Sequence, residues 1–324
     1  QETAVLQLPR KENEKNLFLP SIFPQTHQEQ IRIACKDWVS KTGVPHVTLV
    51  AHKGRIVFEE AFNGNNSNKA VSVNSLLWMA SITKLLTGVL MMQFVDQGLV
   101  DLDAHVSKYL PELPSGVNLT IRQLFTHTTG LDEWAGEWAS DWNPALENYV
   151  SQVIPLVTIG KKFSYNRVGY AIAGRVMERI TGRAVPHLFR DYIFMPLGMK
   201  SAYADNTYGG LYCTAADLAR LGQMLLNRGV YNGHRFFSEN SYQQMLPTKL
   251  AGLDRRWGIG TSPMDEHGLS KSAFGHLAAS GSVFRIDPEN DLIIISARNK
   301  VSGNQEQFEQ RLIEACTAPL QQNK

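Results

Sequence analysis

The chain has 324 residues, 43% of them hydrophobic and 19% charged, with a formal net charge of +2. That is enough for one large domain or two modest ones, in the composition of an ordinary globular protein. Lys and Arg are scattered without a basic face, so nothing supports nucleic-acid binding or electrostatic docking on a membrane.

Residues 1–24 are polar, carry Pro9, Pro20 and Pro24, and read as an N-terminal extension. The chain starts at Gln1 rather than Met. That start favours an exported protein, periplasmic or secreted, although a trimmed chain would begin the same way. From Gln28 to Lys41, Ile31, Ala34, Cys35, Trp38 and Val39 fall at helical spacing. "HVTLVAHKGRIVFEEAF" reads as a hairpin turning at Gly54. The run Leu76–Val95 is almost wholly apolar and ends before Gly98, the pattern of a buried helix. It is long enough to span a bilayer, but Lys84 near its middle makes insertion expensive.

Further on, "VGYAIAGRVMERITG" and "TAADLARLGQMLLNRG" are the clearest helices, each closed by Gly. After Trp257, β character returns in "GSVFRIDP" and "DLIIISAR", joined by the turn "DPEND", and "NQEQFEQRLIEACTAPL" forms a last helix. The order is α-β-β, a helical middle, then β-β-α. It predicts an α+β protein in which one sheet collects strands from both ends of the chain. The expected division is a single domain over 25–324, with an α/β part of about 25–80 and 255–324 and a helical lobe of about 81–254.

Lys84 sets the functional question. A buried ammonium is costly unless it is paired or discharged. On a helix, Ser81 and Lys84 share a face, and a lysine in a dry pocket can act as base toward a neighbouring hydroxyl. Ser-x-x-Lys alone is a frequent pattern, and on these residues alone Lys84 snorkelling to solvent is the favoured account.

The wider sequence reverses that preference. "SLLWMASITKLLTGVLMMQFVDQGLVDLDAHVSKYLPELP" resembles the nucleophile helix of the serine β-lactamase/penicillin-binding-protein superfamily, nearest its class C branch with the related esterases and D-peptidases. "LTIRQLFTHTTGL", "KKFSYNRVGYAIAGRVMERITG", "GGLYCTAADLARLGQMLLNRG" and "FGHLAASGSVFRIDPENDLIIISARN" resemble its later segments in family order, from about Val44 to Asn299. The resemblance implies a β-lactamase/DD-peptidase-like fold: an antiparallel sheet flanked by helices, plus a mostly helical lobe. It also implies acyl transfer through Ser81 as nucleophile, Lys84 as base and Tyr165 as proton relay. His276 falls at the third element, and the amides of Ser81 and of Ala279 on a strand would form the oxyanion hole. No metal or cofactor is implied.

Two positions depart from the family pattern. Arg167 stands where the family has Asn, with Asn166 a substitute if the turn is re-registered, and Ala278 stands where the His-x-Gly element has glycine. An added methyl there would narrow the cleft. Both changes favour an esterase or a peptidase/amidase acting on a small-molecule or peptide substrate over a true class C-type β-lactamase or DD-carboxypeptidase. A degenerate, non-catalytic binding protein on the same fold is the reading from another class. Arg167 pointing into the cleft would favour a carboxylate-bearing substrate.

Trp134, Trp138 and Trp142 recur every four residues after "HTTGL"; core packing is the ordinary account of them, and Trp134 is the candidate cleft wall. His127 has a family counterpart of structural rather than catalytic character and is kept out of the catalytic set. The other histidines lack metal-ligand spacing, and "DLDAH" lacks the spaced acids of a calcium loop. Cys35 and Cys316 lie on the first and last helices, which the family packs on one sheet face. They are expected as buried thiols, with a disulfide as the alternative if the protein is exported. The short stretch Met199–Thr214 is expected to leave one rim of the cleft open.

Overall fold

In the computed structural model, residues 23, 25–65, 70–131, 149, 150, 152, 155 and 157–321 are described. Trp134, Trp138 and Trp142 lie outside them. Helix α1, Gln25–Thr42, is followed by the hairpin β1, His46–His52, and β2, Arg55–Phe62. Lys53 and Gly54 both have positive φ, 50° and 70°, so the turn follows the right-handed twist of its strands.

At the other end of the chain come β6, Ser262–Pro263, β7, Phe274–His276, β8, Val283–Asp287, and β9, Leu292–Ala297. These join the hairpin in one six-stranded antiparallel sheet of order β6-β7-β8-β9-β1-β2, with β1 against β9 from Val47↔Ala297 to His52↔Leu292. The expected α+β sheet built from both ends of the chain is thus present. One sheet face packs on α1 and the terminal helix α5, Gln305–Gln321, through Trp38, Cys35, Phe308, Leu312 and Ile313. Cys35 and Cys316 are both free and buried there.

The other face meets the central helix α2, Ile82–Asp96, whose residues from Ile82 to Phe94 are all buried. A helix apolar on every side needs neighbours all round. One of them approaches unusually closely. A Cβ on Gly88 would stand 2.3 Å from the Ile259 carbonyl oxygen, so the Ile259–Gly260 backbone crosses α2 where only glycine fits. Helix α4, Val168–Thr181, lies against α3, Ile121–Phe125, through a similar contact: a Cβ on Gly169 would fall 2.3 Å from the Leu124 oxygen.

The structure corrects the reading of Leu76–Val95 as one helix. Leu77–Ala80 is a strand, β3, that pairs with β5, Leu211–Cys213, which in turn pairs with β4, Tyr203–Ala204. Three contacts hold it extended. The Trp78 N–H donates to Asn299 Oδ1 (2.8 Å), the Trp78 indole donates to the Gly209 carbonyl (2.7 Å), and β3 pairs from Leu77↔Cys213 to Ala80↔Leu211. An apolar run of this kind has no periodicity that separates strand from helix. The middle of the chain therefore holds a small sheet as well as helices.

Candidate active site

Ser81 sits at the junction of β3 and α2 as the N-cap residue of the helix. The chain turns into it through Ala80, a non-glycine residue at φ 45°. Thr83 locks this elbow: its hydroxyl donates to the Ala80 carbonyl (2.6 Å) and accepts the Leu211 N–H (3.0 Å). Ser81 is thus fixed between a strand end and a helix start, where the helix N–H groups favour developing negative charge.

Lys84, one turn on, is 3% exposed. Its Nζ donates to Ser81 Oγ at 3.2 Å and to the Tyr208 carbonyl at 2.9 Å. It also lies 5.0 Å from the Tyr165 ring centroid and 5.6 Å from that of Tyr170, within cation–π range. The Tyr208 carbonyl is aimed by its loop. Asn206 Oδ1 accepts the N–H groups of Tyr208 (3.1 Å) and Gly209 (2.8 Å), while Thr87 Oγ1 donates to the Thr207 carbonyl (2.7 Å). The stretch Met199–Thr214, expected to leave a rim open, supplies the group that holds the lysine.

Tyr165 is 46% exposed and the accessible member of an aromatic cluster. His127 (4.5 Å between ring centroids), Trp257 (6.0 Å) and His276 (6.1 Å) surround it. Tyr170, fully buried, donates its hydroxyl to the Phe125 carbonyl (3.0 Å), and burial holds its phenol well above the ordinary range. Arg255 lays its guanidinium over Phe163 (4.6 Å) and Trp257 (5.4 Å) at the edge of the cluster.

His276 is fully buried, with its Nδ1 2.7 Å from the Leu277 carbonyl, so as placed it faces Tyr165 and Trp257 and is closed to solvent. Burial first, and the nearby Lys84 second, push it down to about 3, which keeps it neutral. His276, expected in the catalytic set, is thus placed within the aromatic cluster beside Tyr165 and Trp257. Strand β7 also ends at His276, so Ala278 and Ala279 lie in the turn that follows rather than on a strand. The Gly281 N–H closes that turn on the Ala278 carbonyl (2.9 Å), Ala278 packs half-buried against the core, and Ala279 is exposed.

Asn166 does not stand in for the family asparagine. Its Nδ2 points to the Leu131 carbonyl (3.4 Å) and its N–H goes to His127 Nδ1 (3.3 Å). Arg167, the residue before α4, is half-buried with its guanidinium carbon 6.0 Å from the Tyr208 ring. Ser81, Lys84 and Tyr165 are therefore brought together, with Arg167 near the Tyr208 ring. His127, expected as a structural residue, packs against Tyr165, while Trp257, Tyr170 and the Tyr208 carbonyl were not anticipated. Among the described residues no group of acids, histidines or cysteines is arranged to hold a metal ion.

A family model described as Beta-lactamase matches residues 41–318. The chain belongs to the beta-lactamase family. Members of this family that the chain resembles include "Penicillin-binding protein 4" of Amycolatopsis lactamdurans, 28% identical over 267 residues, 66% of this chain and 69% of the relative. The lovastatin esterase of Penicillium rubens is 28% identical over 270 residues, covering 67% of each chain. Among solved structures, a penicillin-binding protein homologue from Caulobacter crescentus superposes with a TM-score of 0.77 at 20% identity, over 90% of this chain and 97% of that one. Of the curated relatives it matches, the chain spans 69% of one, 61% of another and 37% of a third. No helix among its described residues is long and apolar enough to cross a membrane.

Proposed function

We propose that the protein is a serine hydrolase that cleaves ester or amide bonds through a Ser81 acyl-enzyme, with esterase or peptidase/amidase activity ahead of β-lactam hydrolysis. The observation that carries this reading is the buried Lys84 Nζ, 3.2 Å from Ser81 Oγ and bonded to the Tyr208 carbonyl. In its neutral form Nζ takes the Ser81 hydroxyl proton as Oγ bonds to the substrate carbonyl carbon. The oxyanion that forms lies at the N-terminus of α2, with the amides of Ser81 and Ala279 as its donors; such donors contribute about 10²–10³ each. The proton leaves through Tyr165 to the departing alcohol or amine, and water then cleaves the Ser81 ester, restoring the hydroxyl.

Preference for substrates other than β-lactams rests on Arg167. The family asparagine offers a carbonyl oxygen to the lysine and an amide to the substrate, whereas a guanidinium only donates, and Asn166 is turned to Leu131. A non-catalytic binding protein would need no lysine buried beside a serine.

The test is incubation with a fluorophosphonate, a penicillin and a short p-nitrophenyl ester, read by intact mass and turnover, with Ser81→Ala as control. An adduct and turnover lost in the variant are expected. No adduct and no turnover with any of the three would refute the assignment.

A further inference from the structure

His127 has a φ of 56°, in the left-handed region that few non-glycine residues adopt and that His, with Asn and Asp, tolerates better than most. The turn alone does not explain the imidazole. Asn would suit the backbone as well, and its Oδ1 could accept the same Asn166 N–H that His127 Nδ1 accepts.

What the ring adds is contact. It packs 4.5 Å from Tyr165, 5.3 Å from Tyr170, 5.3 Å from Trp257 and 5.6 Å from Phe163, between centroids. The tautomer follows from the anchor. Nδ1 accepts from the Asn166 amide, and burial, with Lys84 nearby, holds the ring well below its ordinary range and so neutral. Nε2 therefore carries the hydrogen. That buried N–H has no partner among the described residues.

His276 is the mirror case. Its Nδ1 must donate to the Leu277 carbonyl, so its Nε2 is a bare acceptor, also buried and unpartnered. Two neutral imidazoles of opposite tautomer thus back the one exposed ring of the cluster.

We propose that His127 is a positioning residue for the proton relay, setting the angle of the Tyr165 phenol over Lys84 through its ring contact and its Asn166 anchor. The inference rests on the acyl-enzyme reading above. Through Tyr165, His127 acts on the proton that leaves Ser81, and it touches neither substrate nor nucleophile.

The test is His127→Asn, alone and in a Tyr165→Phe background, with kcat and KM on the p-nitrophenyl ester and the rate of Ser81 phosphonylation. The single variant is expected to lower kcat and the phosphonylation rate by about tenfold or more, with KM within about threefold. In the Phe background the same substitution is expected to change kcat by less than about twofold, because the hydroxyl it orients is gone. Equal effects in both backgrounds, or none in either, would overturn the proposal. If Ser81→Ala and Tyr165→Phe are themselves without effect, it is the acyl-enzyme reading that fails. Imidazole ¹⁵N spectra of the unmodified protein guard against a variant that does not fold. They are expected to show His127 protonated at Nε2 near neutral pH and shifted when Ser81 is phosphonylated, and a hydrogen on Nδ1 would overturn the assignment.

Discussion

Replacing Lys84 by Met separates what the lysine does for the reaction from what it does for the fold. Met has similar length and no charge. The ammonium donates to Ser81 Oγ and to the Tyr208 carbonyl and sits in range of two aromatic rings. A hydrogen bond to a charged group contributes about 1.5–3 kcal/mol, and each desolvated cation–π contact about 1 kcal/mol. Against this, burying an ammonium costs several kcal/mol even after relaxation. The two sides nearly cancel; Met leaves the buried Tyr208 oxygen short of a donor, at about 1–3 kcal/mol, and removes one from the half-buried Ser81 hydroxyl. Lys84→Met is therefore expected to shift stability by no more than about 2 kcal/mol, a few degrees in Tm for a chain of this size. Activity should respond differently: loss of the general base lowers the acylation rate by about 10²–10⁴. Thermal unfolding and time-resolved intact mass with a fluorophosphonate measure the two quantities on the same preparation. A variant that keeps more than about a tenth of the acylation rate would refute the role given to Lys84.

Three further outcomes follow from the geometry. His46 and His276 are each pushed down to about 3, mainly by burial, and His127 lies well below its ordinary value of 6.5. All three are neutral when folded and charge when unfolded, so their contribution is complete above about pH 6.5 and is lost as pH falls toward 3. At pH 4.5 His46 and His276 are each expected to remove roughly 2–3 kcal/mol, with His127 acting in the same direction, and a Tm unchanged between pH 7 and 4.5 would contradict their burial. Gly88→Ala places a methyl 2.3 Å from the Ile259 oxygen, where both neighbours are backbone. A loss of about 2–3 kcal/mol in denaturant unfolding is expected, and a loss below 0.5 kcal/mol would show that the Ile259–Gly260 segment can move away. Arg298 is buried over the Trp38 ring, 3.5 Å from its centroid, and only its Nη2 is hydrogen-bonded, to Ser296 Oγ. Arg298→Met, which keeps volume and removes the buried charge, is expected to be neutral or stabilising by up to about 2 kcal/mol, and a loss above 3 kcal/mol would mean that the guanidinium has acceptors.

Ser81 and Lys84 were legible through the segment around them, since the two residues alone favoured Lys84 snorkelling to solvent; the structure buries Lys84 beside Ser81. Tyr165 was legible through the segment around it. The hairpin at Gly54 and the strands after Trp257 were legible from alternation and turn residues. β3 was not: Leu77–Ala80 is as apolar as the helix it leads into, and its pairing partners, Leu211–Cys213, are remote in sequence. The Tyr208 carbonyl could not be found by reading side chains, since a main-chain acceptor leaves no residue-type signal. The depth of His276 was not legible, because sequence gives order and not burial, and nothing in "FGHLAAS" shows that the strand stops at the histidine.

Two non-glycine residues flank the catalytic groups in left-handed conformation, Ala80 at φ 45° before Ser81 and His127 at φ 56° against Tyr165. Each is held by contacts from a distant segment. Leu211 pairs with Ala80 and reaches Thr83, and the Asn166 amide anchors the His127 ring. Strain of this kind persists only where surrounding structure over-determines it. It follows that Ser81, Lys84 and Tyr165 owe their alignment to β5, the Tyr208 loop and the start of α4 as much as to their own helix and turn. Loosening Asn206, which touches none of the three side chains yet holds the amides on either side of the Tyr208 carbonyl, should therefore disturb Lys84 before it disturbs the fold.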